Sequence, residues 1–187
     1  MRLLPLALAC ALTLAACTPG SSQESRVGGF VTARGGDFIE LDQREPAPDV
    51  AAETLDGDLL ALRDLEGPVL VNFWASWCAP CATEAPHLQA VHEAYGPRGL
   101  HVVGVDVRDN RPNALSFERD FGVTYPSWYD KAGSIAAAFG GIGPAGLPST
   151  ILLDAEHRVA VRLFGAVTGA RLAPYLEELV QGQEASP

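Results

Sequence analysis

The chain opens on an apolar run, Leu3 to Ala16, behind a single charge at Arg2. The run is shorter than the roughly 17 residues a membrane-spanning helix needs. It fits the apolar region of a secretory signal, typically about 7–15 residues. Small polar residues follow, from Thr18 to Gln23, and read as a flexible tether. From about Asp49 strand-like and helix-like segments alternate. Pro68 to Trp74 contains the apolar run Val69-Leu70-Val71, which suits a central strand. A turn at Ala75–Trp77 leads into a helix from Ala79 to Tyr95, where Leu88, Val91 and Tyr95 recur on one face. Gly96-Pro97 ends it. Leu100 to Val107 is apolar and β-branched, a second buried strand. Pro112 to Phe121 fits a helix with proline in its first turn, and Ser134 to Phe139 a shorter one. Ser149–Leu153 and Val159–Phe164 predict two strands joined by the turn-like Asp154-Ala155-Glu156-His157. Leu172 to Val180 predicts a closing helix. The stretch from Asp37 to Leu60 predicts a small hairpin around Asp56-Gly57.

Alternating strands and helices imply an α/β domain whose parallel strands take right-handed crossovers. The late hairpin adds antiparallel strands, so the central sheet is expected to be mixed and flanked by helices, with the N-terminal hairpin as an addition. The expected division is a signal peptide over 1–16, a tether over 17–45 and one domain over 46–183.

Composition narrows the function. The formal net charge is −10, opposite to the basic footprint of a nucleic-acid binder. Cysteine usage says more. Of four cysteines, Cys10 lies within the signal and Cys17 directly after it. Only Cys78 and Cys81 belong to the domain. A bridge closing so short a loop constrains the unfolded chain little, so a redox role fits the pair better than a stapling one.

Cys78-Ala79-Pro80-Cys81 falls at a strand-to-helix junction. A helix N-terminus offers unpaired N–H groups and the positive end of the macrodipole. A thiolate is stabilised there, so Cys78 should ionise below the free value of about 8.5 and attack disulfides. Cys81, on the first helical turn, would resolve the mixed disulfide. Pro80 costs no helical hydrogen bond at that position. A zinc site is the rival reading of a CxxC, but it wants four ligands. There is no second pair; His87 and His92 have four residues between them, but on the helix that the cysteines open, one to three turns away, where they could not easily close a tetrahedron, and His101 and His157 form no such tail. Gly141 to Gly146 matches G-x-G-x-x-G, yet it follows a helix and opens a strand, the reverse of a dinucleotide site.

Two resemblances add to this reading. Leu14-Ala15-Ala16-Cys17 resembles a bacterial lipobox, which implies cleavage before Cys17 and lipidation of its thiol. The other reading is an ordinary cleaved signal with an incidental cysteine. Several acyl chains, at roughly 0.8 kcal/mol per buried CH₂, would hold the domain at a bacterial membrane on its extracytoplasmic side.

The segment Val69 to Pro86, VLVNFWASWCAPCATEAP, resembles the active-site region of thioredoxin-fold proteins. The similarity is to the TlpA/ResA-like exported oxidoreductases, including the DsbE type, and spans roughly Pro46 to Val180. Pro86 matches the kinking proline of the family's helix, and Gly146-Leu147-Pro148-Ser149-Thr150 resembles its cis-proline loop. The resemblance implies catalytic roles for Cys78 and Cys81, and a substrate groove lined by Leu147 and Pro148, with Trp77 beside it. It implies that Pro80 and Glu84 modulate the pair, although Glu84 also reads as an acid favourable to the dipole in the first helical turn. Asn72 departs from thioredoxin, which has a buried aspartate there.

The implied function is reduction of disulfides in exported proteins, such as apocytochrome c during cytochrome c maturation, with electrons from a membrane thiol donor of the CcdA/DsbD type. The alternative is a thiol oxidase for secreted proteins. No prosthetic group or metal is expected, and the protein is expected to be a monomer. A peroxidase would want Thr or Ser where Ala75 stands, and a copper-delivery protein a wider cysteine spacing with a histidine downstream.

Overall fold

The computed structural model describes residues 38–140 and 146–184. The signal, Cys17, the tether up to residue 37 and most of the glycine-rich motif at 141–146 lie outside the described residues. The elements in order are β1 (Ala51–Glu53), β2 (Leu59–Ala61), β3 (Val69–Trp74), α1 (Ala79–Tyr95), β4 (His101–Val107), α2 (Arg111–Phe121), β5 (Ser127–Asp130), α3 (Ser134–Ala138), β6 (Ser149–Leu153), β7 (Val159–Phe164) and α4 (Gly169–Glu184).

The central sheet has the order β5-β4-β3-β6-β7. β3, β4 and β5 run parallel, whereas β6 and β7 return antiparallel. This is the mixed, helix-flanked sheet of a thioredoxin-like fold. β1 and β2 form the separate hairpin, with Gly57 at positive φ in its turn.

β3 is buried along its whole length because both faces of the sheet are covered. Val69, Val71 and Phe73 enter one core with Val103, Val105, Trp128, Ile135 of α3 and Phe139 just after it. Leu70 points the other way, among Leu88 and Val91 of α1 and Leu172 and Leu176 of α4. Trp74, also on that second face, joins a third cluster with Cys78, Cys81 and Phe117. Strand alternation thus delivers the end of β3 directly into the surroundings of the cysteines.

β5 has no counterpart among the expected elements. It is four residues long and follows Pro126, so its sequence resembles a loop. Tertiary context makes it a strand: Trp128 is fully buried, and its Nε1 donates to the Leu60 carbonyl at 3.0 Å. α4 starts ahead of the expected Leu172 and continues beyond Val180.

The domain also begins earlier than expected. Residues 38–45, assigned to the tether from sequence, are anchored here at Phe38, Ile39 and Arg44, while the residues between stay exposed. Ile39 N–H donates to the Ala160 carbonyl at 2.8 Å, and Phe38 lies 5.1 Å from the ring of Tyr175. Arg44 pairs with Asp154 at 3.2 Å, both side chains largely buried. The polar composition of this stretch hid a segment that completes the β7 edge.

Gly104 of β4 is a point of close approach. A Cβ there would lie 2.6 Å from Trp74 Nε1 and would also collide with Ser127 Oγ. Gly104→Ala should destabilise the domain by about 1–3 kcal/mol through overpacking and disturb Trp74, as read by urea unfolding and tryptophan fluorescence.

Candidate functional site

β3 ends at Trp74, and Ala75-Ser76-Trp77 turns the chain into α1 with Cys78 as its N-cap. The turn is closed by a hydrogen bond from Cys78 N–H to the Ala75 carbonyl at 3.1 Å. Cys81 N–H then donates to the Cys78 carbonyl at 3.0 Å, which begins the helix. Pro80 sits in the first turn, where its missing N–H has no helical acceptor to lose. Cys78 and Cys81 form a disulfide, with S–S 2.04 Å. Cys78 is 6% exposed and Cys81 1%, so the more exposed cysteine is the one expected to attack.

Trp77 stands beside the pair, half exposed. Trp74 lies underneath, stacked on Phe117 with ring centroids 4.6 Å apart. An open cleft of about 460 Å³ runs between the start of α1 and α2. Ser76, Trp77, Cys78, Ala79 and Ala82 line one side, and Asn113, Ser116, Phe117, Asp120 and Phe121 the other. Among these described lining residues the only charge is the carboxylate of Asp120.

The Leu147–Pro148 peptide bond is cis. Leu147 packs against the cluster that contains both cysteines. The structure therefore brings together the CxxC turn, Trp77 and the Leu147-Pro148 loop, which are far apart in sequence.

Glu84 is almost wholly buried. It is three residues beyond Cys81 on α1, so the two share a helix face. It lies past the first turn, which contains no acidic residue, so its reading as a first-turn acid does not hold. Its Oε1 accepts from Asn72 Nδ2 at 2.8 Å and its Oε2 from Val167 N–H at 3.0 Å. Burial raises its pKa to about 7, and the two hydrogen bonds only partly offset that rise. Asn72 also donates toward Thr150 Oγ1 at 3.2 Å. Sequence reading registered Asn72 only as a missing aspartate. The clue to its role was an amide inside an apolar strand, which must find partners when buried.

Sequence reading also missed Asp109. Its Oδ2 accepts the Ser76 N–H at 2.6 Å, tying the turn before Cys78 to the end of β4. Acidic residues within and after a buried strand, Asp106 and Asp109, were the available signal.

Comparison with known proteins agrees with this geometry. The profile of the AhpC/TSA family matches residues 44–162. Thiol-disulfide oxidoreductase ResA of Geobacillus thermodenitrificans is 32% identical over 134 residues, covering 71% of this chain and 75% of that protein. A crystal structure of a DsbF homologue from Corynebacterium diphtheriae superposes with TM-score 0.73 at 37% identity, covering 79% of this chain and 95% of that one. A secreted thiol-disulfide isomerase from Corynebacterium glutamicum gives TM-score 0.74 at 36% identity, covering 80% and 94%.

The raised pKa of Glu84 sets a pH dependence of stability. Between the unfolded value of 4.5 and the folded value of about 7, the native state keeps a proton the unfolded state has lost. Stability contributed by this group therefore falls as pH rises through that window. Glu84→Gln should remove up to about 3 kcal/mol of that fall, at 1.36 kcal/mol per pKa unit. Denaturant melts of the oxidised domain at pH 5 and pH 8 check this.

Proposed function

The chain belongs to the AhpC/TSA family and is a thiol–disulfide oxidoreductase, and we propose that it works as a reductase of disulfides in exported proteins, apocytochrome c among them. The observation that carries this direction is the charge around the cysteines. A couple grows more oxidising as its reduced form is stabilised, above all as a thiolate. The α1 N-terminus favours it by about 0.3–1 kcal/mol, up to ~2 in buried geometries. Against that, the cleft beside Cys78 is lined by the Asp120 carboxylate and by no cation among its described residues. Glu84 adds a second acid one turn from Cys81. Acids near the pair disfavour the thiolate form and so favour giving electrons away.

The steps follow from the geometry. The Cys78 thiolate attacks one sulfur of a substrate disulfide. A Cys78–substrate bond forms, the substrate S–S bond breaks, and the first substrate thiolate leaves. Cys81, having lost its proton, then attacks Cys78 Sγ. The Cys78–Cys81 bond forms and the second substrate thiolate leaves. Two electrons have passed to the substrate, whose thiolates take up protons from solvent and from Cys81. Glu84, with a pKa of about 7 and on the same helix face as Cys81, is suited to accept the Cys81 proton. Trp77, Leu147 and Pro148 frame the approach, and an extended peptide would pair with the backbone beside Leu147. A membrane thiol donor of the CcdA/DsbD type would re-reduce the pair, and a lipid on Cys17 would keep the domain close to it.

A second reading is favoured by the solved relatives, since the DsbF homologue and the secreted isomerase share 36–37% identity with this chain. In that reading the same centre oxidises or rearranges secreted thiols.

Equilibration with dithiothreitol should place the Cys78–Cys81 couple near or below the thioredoxin value of about −270 mV. A potential near that of DsbA, about −120 mV, would make the protein an oxidant instead. Cys81→Ser should accumulate mixed disulfides on Cys78 in intact cells, and Cys78→Ser should form none. Labelled palmitate should enter the wild-type chain and not Cys17→Ser, with the variant released from the membrane fraction.

A further inference from the structure

A pair of carboxyl groups lies behind the turn that carries Trp77 and Cys78, and the exchange steps leave it unused. Asp106 is near the end of β4, in register with Trp74, and has no exposed surface. Neither of its carboxyl oxygens receives a hydrogen bond from a donor in the protein. Asp109 lies within hydrogen-bonding reach of it. The oxygens of Asp109 are already engaged, one by Ser76 N–H at 2.6 Å and the other by Asn110 N–H at 2.7 Å. β5 pins the intervening backbone: Arg108 N–H donates to the Asp130 carbonyl at 3.0 Å, and Tyr129 Oη donates to the Asp109 carbonyl at 3.3 Å.

Two buried carboxyl groups in contact cannot comfortably both ionise. One must hold a proton, and Asp106, whose oxygens receive no N–H, is the place for it. We propose that protonated Asp106 is a positioning residue for the redox centre. It donates a hydrogen bond to Asp109, holds that carboxylate against the Ser76 amide, and so fixes the turn that presents Cys78.

The surroundings support this. Burial first, and then the charges of Asp109, Glu118 and Asp130, raise the pKa of Asp106 to about 8. Those groups face it from the turn after β4, from α2 and from β5. β3 presents the uncharged Trp74, and α1 contributes Cys78 and Cys81 to the cluster around that ring. On losing its proton, Asp106 would repel Asp109, and the Ser76 amide would lose its acceptor. The inference needs only thiol–disulfide exchange at Cys78 and holds for either direction of electron flow.

The test uses the full-length chain, reduced and held in detergent, with Glu84→Gln as the parent so that the buried acid on α1 does not titrate. Glu118, whose pKa burial raises to about 7, is present in both the parent and Asp106→Asn and is controlled by their comparison. The rate of Cys78 with a small aromatic disulfide is measured across the range in which Asp106 titrates and divided by the thiolate fraction. The corrected rate should fall by about threefold or more as pH passes about 8, because a reacting group displaced from its productive geometry reacts more slowly. Asp106→Asn, whose amide donates at every pH, should keep the neutral-pH rate and lose the fall. Asp106→Leu should react slowly throughout. The proposal is overturned if Asp106→Asn retains the fall, if the parent shows none, or if Asp106→Leu matches the parent at pH 7. Should Asp106→Leu fail to fold, the comparison of the parent with Asp106→Asn decides alone. An unreactive Cys78 in the parent would instead overturn the oxidoreductase reading itself.

Discussion

A buried carboxyl group needs partners, and in this protein the partners of Glu84 tie the redox helix to the sheet. Asn72 of β3 and the Val167 amide ahead of α4 each donate to one Glu84 oxygen. Asn72 also reaches Thr150 of β6. Three parts of the chain thus meet at one acid on the helix that carries both cysteines, and Asn72 links a fourth to them. Removing a partner of such a group leaves a polar atom buried and unpaired, which costs about 1–3 kcal/mol or more. The orientation of α1, and with it the placement of the CxxC turn, is therefore linked to the packing of β3 and β6.

The same arrangement sets the chemistry. The helix N-terminus stabilises negative charge on Cys78, and the acids around it oppose that charge. A macrodipole acts over the first turn and is worth about a kcal/mol. Buried carboxyl groups act through a poorly screened interior, where charge interactions are several-fold stronger than in water. The balance between a short-range favourable term and an acidic interior is what the proposed direction of electron flow rests on. The cleft lined by Phe117, Phe121 and Trp77 opens at the edge of that field, and Leu147 packs against the cluster that holds both cysteines.

Much of the fold was legible from local pattern. The bounds of α1 agree with the expected helix, because Cys78 and Pro80 at one end and Gly96-Pro97 at the other are strong local punctuation. β3, β6 and β7 were visible as apolar runs. β5 was not, since four residues after a proline carry too little periodicity. Residues 38–45 were not either, because their packing against β7 and Asp154 depends on partners more than a hundred residues away.

By itself, the sequence determined the α/β order of elements, the cysteine pair at a strand-to-helix junction and the loop around Pro148. The first two follow from residue spacing and backbone restriction, which are local properties; the loop around Pro148 was marked by its resemblance to thioredoxin-fold proteins. Tertiary structure alone decided that Glu84 is buried past the first turn, that Asn72 is its partner, and that Asp109 holds the Ser76 amide. The reason is physical. Whether an acid is solvated or desolvated depends on what lies across the fold, and an apolar strand pattern does not name the side chain that will face it.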